Sequence, residues 1–108
     1  MKNMTLREIT KACKGIYCGD ESFLDKGVSS VVIDSRLVKK DSLYVAIKGA
    51  RVDGHSFISG AINDGALSAL SEEKLDSSDF PYILVPSSEQ ALVDLAEHYR
   101  RALNLKVV

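Results

Sequence analysis

His55 and His98 are the only imidazoles in the chain. They are therefore the only side chains whose ordinary proton affinity suits a general base near neutral pH. A Ser/His/Asp hydrolase needs nucleophile, base and orienting acid to meet in space. Neither histidine is accompanied by a Ser or Cys in a nucleophile-elbow pattern. His98 follows Asp94 by four residues in a helical pattern and reads as a solvated helix side chain. His55 follows an Asp-Gly turn and is the better candidate of the two. Self-contained catalysis is not expected, and no residue is assigned a catalytic or metal-binding role.

Phosphate binding asks for different parts: backbone N–H groups at a helix start, glycine for close approach, and a cation. The stretch GARVDGHSFISGAINDGA, Gly49 to Ala66, supplies them. Lys48 and Arg51 flank Gly49, and Asp53 and Ser56 can each cap a helix beginning near His55. The chain has no G-x-x-x-x-G-K-[ST] loop, which excludes a self-sufficient nucleotide triphosphatase site. The competing reading is a loop whose glycines serve turn geometry and whose Asp53 is a cap. A second polar stretch, Asp34-Ser35-Arg36, follows a strand ending at Ile33, and ligands collect at the carboxyl ends of parallel strands. Its hydroxyl and guanidinium suit a polar ligand. The competing reading is an Asx-type turn with Arg36 in a surface ion pair. Spacing alone favours the structural reading of each stretch taken singly.

The elements that must position these residues alternate. Thr5-Leu6-Arg7-Glu8 fits a capping box. Leu6, Ile9, Ala12 and Cys13 share a helix face, and Gly15 is placed to close the helix in the left-handed conformation. Val28 to Ile33 and Leu43 to Ile47 are rich in β-branched residues and read as strands buried on both faces. Phe57, Ile58, Ala61 and Ile62 recur at helical spacing until Gly65, and Ala66 to Leu70 forms another strand. The polar Ser71 to Phe80 leads into a strand at Tyr82 to Val85. Ser87 or Ser88 caps a last helix, with Gln90 completing a capping box and Leu92, Leu95, Ala96, Tyr99 and Leu103 on its buried face. The chain ends on a strand-like segment, Leu105 to Val108, which is expected to lead into further polypeptide. The pattern predicts an α/β layered fold, one small sheet, mainly parallel or mixed, with flanking helices.

Composition bounds the function. The 108 residues fit one domain of modest stability, expected to gain from a bound ligand or a neighbouring domain. Fourteen basic and fifteen acidic side chains nearly cancel, leaving no general field for nucleic acid or anionic membrane. No apolar run approaches the ~20 residues that span a bilayer, and the amino terminus lacks a signal-peptide core, so no membrane insertion and a cytoplasmic setting are expected. Cys13 and Cys18 read as reduced, packed thiols.

Taken together, Asp34-Ser35-Arg36, Asp41, Leu43 to Ala46, Gly49, Asp53-Gly54-His55, Phe57-Ile58, Ala61 and Gly65-Ala66 resemble in order the motifs of the amino-terminal domain of the Mur ligases. These bacterial enzymes build the peptide of the cell-wall precursor. The opening MTLREITKACKG and the stretch ALVDLAEHYRRALNLKVV resemble most closely the MurF type, with the MurE type as the related alternative. A non-catalytic docking module of similar fold is the alternative from another class. Lys39-Lys40 stand where the family carries Pro-Gly. The resemblance implies one domain, 1–108, that holds the UDP end of UDP-N-acetylmuramoyl-tripeptide and is followed by central and carboxy-terminal domains. It implies ATP and magnesium in the full-length enzyme, which would add D-alanyl-D-alanine, and no cofactor or turnover in this portion. Position by position, it implies uridine contacts from Ser35 and from a loop of Gly49, Ala50, Arg51 and Val52. Arg36 and His55 are implied as polar neighbours of the uridine or diphosphate.

Overall fold

The computed structural model describes residues 4–48, 53–75 and 80–99. The expectations for Gly49 to Val52, for Leu103, for Leu105 to Val108 and for the side chains of His98 and Tyr99 lie outside the described residues.

After a two-residue strand β1 (Met4–Thr5), helix α1 (Leu6–Ala12) opens with the expected capping box. The Thr5 hydroxyl accepts the Glu8 N–H at 3.2 Å, and Glu8 Oε1 accepts the Thr5 N–H at 3.3 Å. Its other end departs from expectation by one residue, because Lys14, not Gly15, takes the left-handed conformation, with φ 57°. The Gly15 N–H reaches the Thr10 carbonyl at 3.0 Å and the Lys14 N–H the Lys11 carbonyl at 3.3 Å, the paired bonds of a Schellman ending. Glycine is required at 15 for space: an added Cβ would stand 2.5 Å from Ile83 Cγ2.

The segment expected as one strand, Val28 to Ile33, divides into β3 (Gly27–Val28), which pairs antiparallel with β1, and β4 (Ser30–Val32), which joins the main sheet. The change of sheet falls at Ser29, whose N–H and hydroxyl bond the carbonyls of Asp41 and Lys40 at 2.9 and 2.7 Å. With β2 (Ile16–Cys18), β5 (Ser42–Val45), β6 (Ser68–Ser71) and β7 (Tyr82–Leu84), the main sheet has the order β2-β7-β6-β5-β4. Strands β4 to β7 are parallel and β2 runs antiparallel at one edge, so the sheet is mixed, as the sequence allowed.

Alternation along the central strands builds two cores. Leu43 and Val45 of β5 and Leu70 of β6 face a core shared with Leu6, Ile9 and Leu95, on α1 and α3 (Ser88–Tyr99). Tyr44, Ala46 and Ala69 face the other, against Ile58 and Ala61 of α2 (Ile58–Asn63). The result is a helix–sheet–helix sandwich with β5-α2-β6 as its strand–helix–strand unit. Buried serines in β6 are satisfied locally: the Ser68 hydroxyl donates to the Pro81 carbonyl at 2.8 Å. In the turn before β5 the left-handed residue is Asp41, φ 65°, so the lysine pair escapes that conformation. A short polar side chain tolerates it better. Ser87 caps α3 by accepting the Gln90 N–H at 3.2 Å, but the Gln90 amide donates to Asp94 instead of returning to Ser87, so only half of the second capping box forms. Cys13 is buried and Cys18 half-buried, both free thiols, and burial pushes the Cys13 thiol up.

Candidate functional site at the carboxyl rim

The parallel strands point their carboxyl ends toward one rim, where two polar turns meet. Beyond β4 the chain makes a single 3-10 turn, Ser35–Leu37, started by Asp34, whose Oδ1 accepts the Arg36 N–H at 2.9 Å. Beyond β5 it returns through a second 3-10 turn, Gly54–Phe57, capped by Asp53. Lys48 and Asp53 pair as an isolated antiparallel bridge. Between the two turns lies a cleft of about 570 Å³, lined by Ile33, Asp34, Ser35, Arg36, Tyr44, Ile47, Gly54 and Phe57. That volume falls within the range of small-molecule sites, and the lining combines a larger apolar share with the polar groups of Asp34, Ser35 and Arg36.

Ser35 and Arg36 thus both line the cleft. Arg36 is 87% exposed and grips its own Asp34: Nε approaches the two carboxylate oxygens at 3.1 and 3.2 Å, and one terminal nitrogen lies 2.8 Å from Oδ2. The Arg36 guanidinium, with its N–H, holds the Asp34 carboxyl down at about 2. The Asx turn and ion pair of the structural reading are therefore present, on residues that line the cleft. Arg36 has five N–H donors, and this pairing uses its Nε and one terminal nitrogen.

His55 is placed differently from a ligand-facing residue. Its ring is 5% exposed and does not line the cleft. Nδ1 lies 2.6 Å from Asp53 Oδ1, and Nε2 accepts the Glu72 N–H at 2.9 Å. Asp53 also accepts the His55 N–H at 3.0 Å, and these bonds hold its carboxyl below the usual carboxylate range. Asp53 is thus the cap that the sequence suggested. Ser56 is not a second cap, for its hydroxyl donates back to the Asp53 carbonyl at 2.9 Å and α2 starts without a side-chain cap. Asp53, His55 and Glu73 have donor atoms within 4.8 Å of one another, but a cation there would have to displace one of the two ring hydrogen bonds.

Gly54 has no unusual φ; it is a glycine because the chain crosses the end of β5 in contact. A Cβ there would meet Ile47 N and O, each at 2.8 Å. The Gly54 N–H bonds the Ile47 carbonyl at 2.9 Å, and the Gly54 carbonyl accepts the Tyr44 hydroxyl at 2.9 Å. Burial, then the nearby Asp34 and Asp53 charges, push the Tyr44 hydroxyl up. Sequence reasoning missed Tyr44, Ile47 and Phe57 as lining. Tyr44 lies in an apolar run that reads only as core, and its polar tip is the one signal that could have marked it. Glu72 was missed as well, being one carboxylate in a polar stretch.

A family model described as "Mur ligase family, catalytic domain" matches residues 27–100. A UDP-N-acetylmuramoyl-L-alanyl-D-glutamate--2,6-diaminopimelate ligase of Bacillus velezensis is 43% identical over 77 residues, 71% of this chain and 16% of that protein. Among solved structures, MurF from Acinetobacter baumannii superposes over 94% of this chain and 22% of its own with a TM-score of 0.80, at 22% identity, a likeness of fold. MurF ligase from Thermotoga maritima in complex with ADP is 38% identical, covering 67% of this chain and 17% of its own, with a TM-score of 0.59. The chain spans about a sixth of the length of the Bacillus relative. With the family match extending from β3 through α3, this chain belongs to the Mur ligase family.

Proposed function

We propose that the chain is the domain of a peptidoglycan-building ligase that holds the UDP end of a UDP-N-acetylmuramoyl peptide. The observation that carries the reading is the meeting of the Asp34–Arg36 turn and the Asp53–Gly54 corner on one cleft at the carboxyl rim of the sheet. In this reading Ser35 and Arg36 contact the uridine or diphosphate, and Gly49, Ala50, Arg51 and Val52, which lie outside the described residues, supply the remaining uridine contacts. Arg51 then supplies a second cation. His55 serves the same end from behind the cleft wall.

The full-length protein in this reading adds D-alanyl-D-alanine to UDP-N-acetylmuramoyl-tripeptide, the MurF reaction, supported by the 38% identity to the Thermotoga MurF. A second reading, the diaminopimelate-adding ligase, is favoured by the 43% identity to the Bacillus relative. ATP and magnesium belong to the central domain of either enzyme. The rim described here does not fit them: Asp34 is engaged by Arg36 and Asp53 by His55, and the chain carries no Gly-Lys-Thr loop. The portion alone therefore binds its ligand without turnover, and the central and carboxy-terminal domains complete the enzyme. No described helix is long and apolar enough to cross a membrane, consistent with the proposed cytoplasmic setting.

The reaction is tested with the full-length protein, ATP and magnesium. Amide formation between UDP-N-acetylmuramoyl-tripeptide and D-alanyl-D-alanine is expected. Activity only with the UDP-linked dipeptide and diaminopimelate moves the assignment to the second reading, and activity with neither rejects both.

A further inference from the structure

A series of hydrogen bonds crosses the carboxyl rim behind the cleft. Asp53 Oδ1 meets His55 Nδ1 at 2.6 Å, His55 Nε2 accepts the Glu72 N–H at 2.9 Å, and Glu72 Oε2 accepts the Ser88 N–H at 2.8 Å. The series ties the end of β5 to the end of β6 and then to the first turn of α3. Each link has one chemical sense. A ring nitrogen that accepts an amide proton carries no proton itself, so a neutral His55 has its single ring proton on Nδ1, where the ionised Asp53 can only accept. Glu72 is an acceptor at the positive end of α3, where a carboxylate is stabilised. The turn presenting the Glu72 amide is itself fixed, for the Ser71 hydroxyl accepts the Glu73 N–H at 3.0 Å.

What the series holds is the cleft wall. Asp53 starts the turn that contains Gly54, and Gly54 lines the cleft while its carbonyl receives the Tyr44 hydroxyl. The ring that anchors Asp53 is 5% exposed and does not line the cleft, and its far nitrogen is held by the Glu72 amide. Glu72 itself does not line the cleft.

We propose that Glu72 is a positioning residue for the cleft: anchored on the amino terminus of α3, it fixes His55 as the Nδ1–H tautomer, and His55 fixes the Asp53–Gly54 wall against which the ligand binds. The inference rests on the reading of the cleft as the nucleotide-end site. Its consequence is that ligand affinity depends on a carboxylate that never touches the ligand.

The test uses the 108-residue chain. Long-range ¹H–¹⁵N correlation of the His55 ring reads the tautomer without any ligand. A protonated Nδ1 with a bare Nε2 at neutral pH is expected, and a predominant Nε2–H form overturns the proposal. UDP is then titrated into the wild type, Glu72→Ala and Glu72→Gln. Glutamine keeps a carbonyl acceptor for the Ser88 N–H, and alanine removes it. If loss of the anchor leaves the wall in its binding geometry about one-tenth of the time, the Kd for UDP rises about tenfold in Glu72→Ala, with rescue to within about threefold in Glu72→Gln. A lower melting temperature in Glu72→Ala with unchanged UDP affinity makes Glu72 merely structural and overturns the proposal. Should the wild type fail to bind UDP while the Nδ1–H tautomer is present and Glu72→Ala shifts the Gly54 and Tyr44 resonances, the positioning role stands and the nucleotide reading falls.

Discussion

Replacing Gly54 with alanine tests the claim that backbone contact, not turn conformation, fixes the cleft wall. The new Cβ would stand 2.8 Å from both Ile47 N and Ile47 O and 3.1 Å from the Tyr44 hydroxyl oxygen. Two of these three atoms are main chain just beyond β5, which cannot rotate away as a side chain can, so the Asp53–Gly54 corner must lift. Lifting it breaks the bond from the Gly54 N–H to Ile47, worth about 1 kcal/mol net, and strands the Tyr44 hydroxyl at an additional cost of about 1–3 kcal/mol. The sum, about 2–4 kcal/mol, corresponds to roughly 12 to 24 °C in Tm at about 6 °C per kcal/mol for a domain of this size. Gly60 is the matched control, because it lies in α2 with nothing within 4 Å of an added Cβ. Gly60→Ala should stabilise by about 0.5–1 kcal/mol through the unfolded chain and helix propensity. Urea unfolding followed by circular dichroism measures both. A Gly54→Ala variant as stable as wild type, or one no worse than Gly60→Ala, would refute the close-approach reasoning.

Leu95 is fully buried between α3 and the sheet, so Leu95→Ala should cost about 2–5 kcal/mol, whereas Val93→Ala, at 48% exposure, should stay within about 0.5 kcal/mol; equal losses in denaturant unfolding would contradict the assigned helix face. The Asp34 carboxyl is held at about 2 by Arg36, below its unfolded value of about 4, so its contribution to stability is present above about pH 4 and lost as the pH falls toward 2. Carbon-detected titration should show Asp34 returning toward the ordinary range in Arg36→Ala; an Asp34 midpoint that does not move would remove the ion pair from the account.

Helix starts were the most legible part of the sequence, because capping depends on neighbours three residues apart: Thr5 with Glu8 and Ser87 with Gln90 identify their helices directly. The end of α1 was displaced by one residue because Gly15 had two possible reasons to be glycine. Its proximity to Ile83, a long-range fact, is the one that operates, while Lys14 carries the left-handed turn. The break between Val28 and Ser30 was hidden for a similar reason: valines stand on both sides of it, and only tertiary pairing sends one half to β1 and the other to β5. The short edge strand Ile16–Cys18 has too few residues to show a period. At the rim, the Asx turn and ion pair of Asp34 with Arg36 and the cap formed by Asp53 are all present as local geometry. Neither excludes a ligand, since a turn that caps itself is also a turn held open toward the cleft. The burial of His55 was illegible because its partner is the main-chain amide of Glu72, seventeen residues on, and a backbone donor leaves no mark in a sequence.

The central claim is that a uridine nucleotide binds between the Asp34–Arg36 turn and the Asp53–Gly54 corner. Amide shift mapping of the 108-residue chain during titration with UDP addresses it directly. Saturable shifts at Ser35, Arg36, Tyr44 and Gly54, with β2 and the α1–α3 face silent, are the predicted result. No shift at those residues with UDP in the millimolar range, or a response confined to the opposite face, would contradict the account.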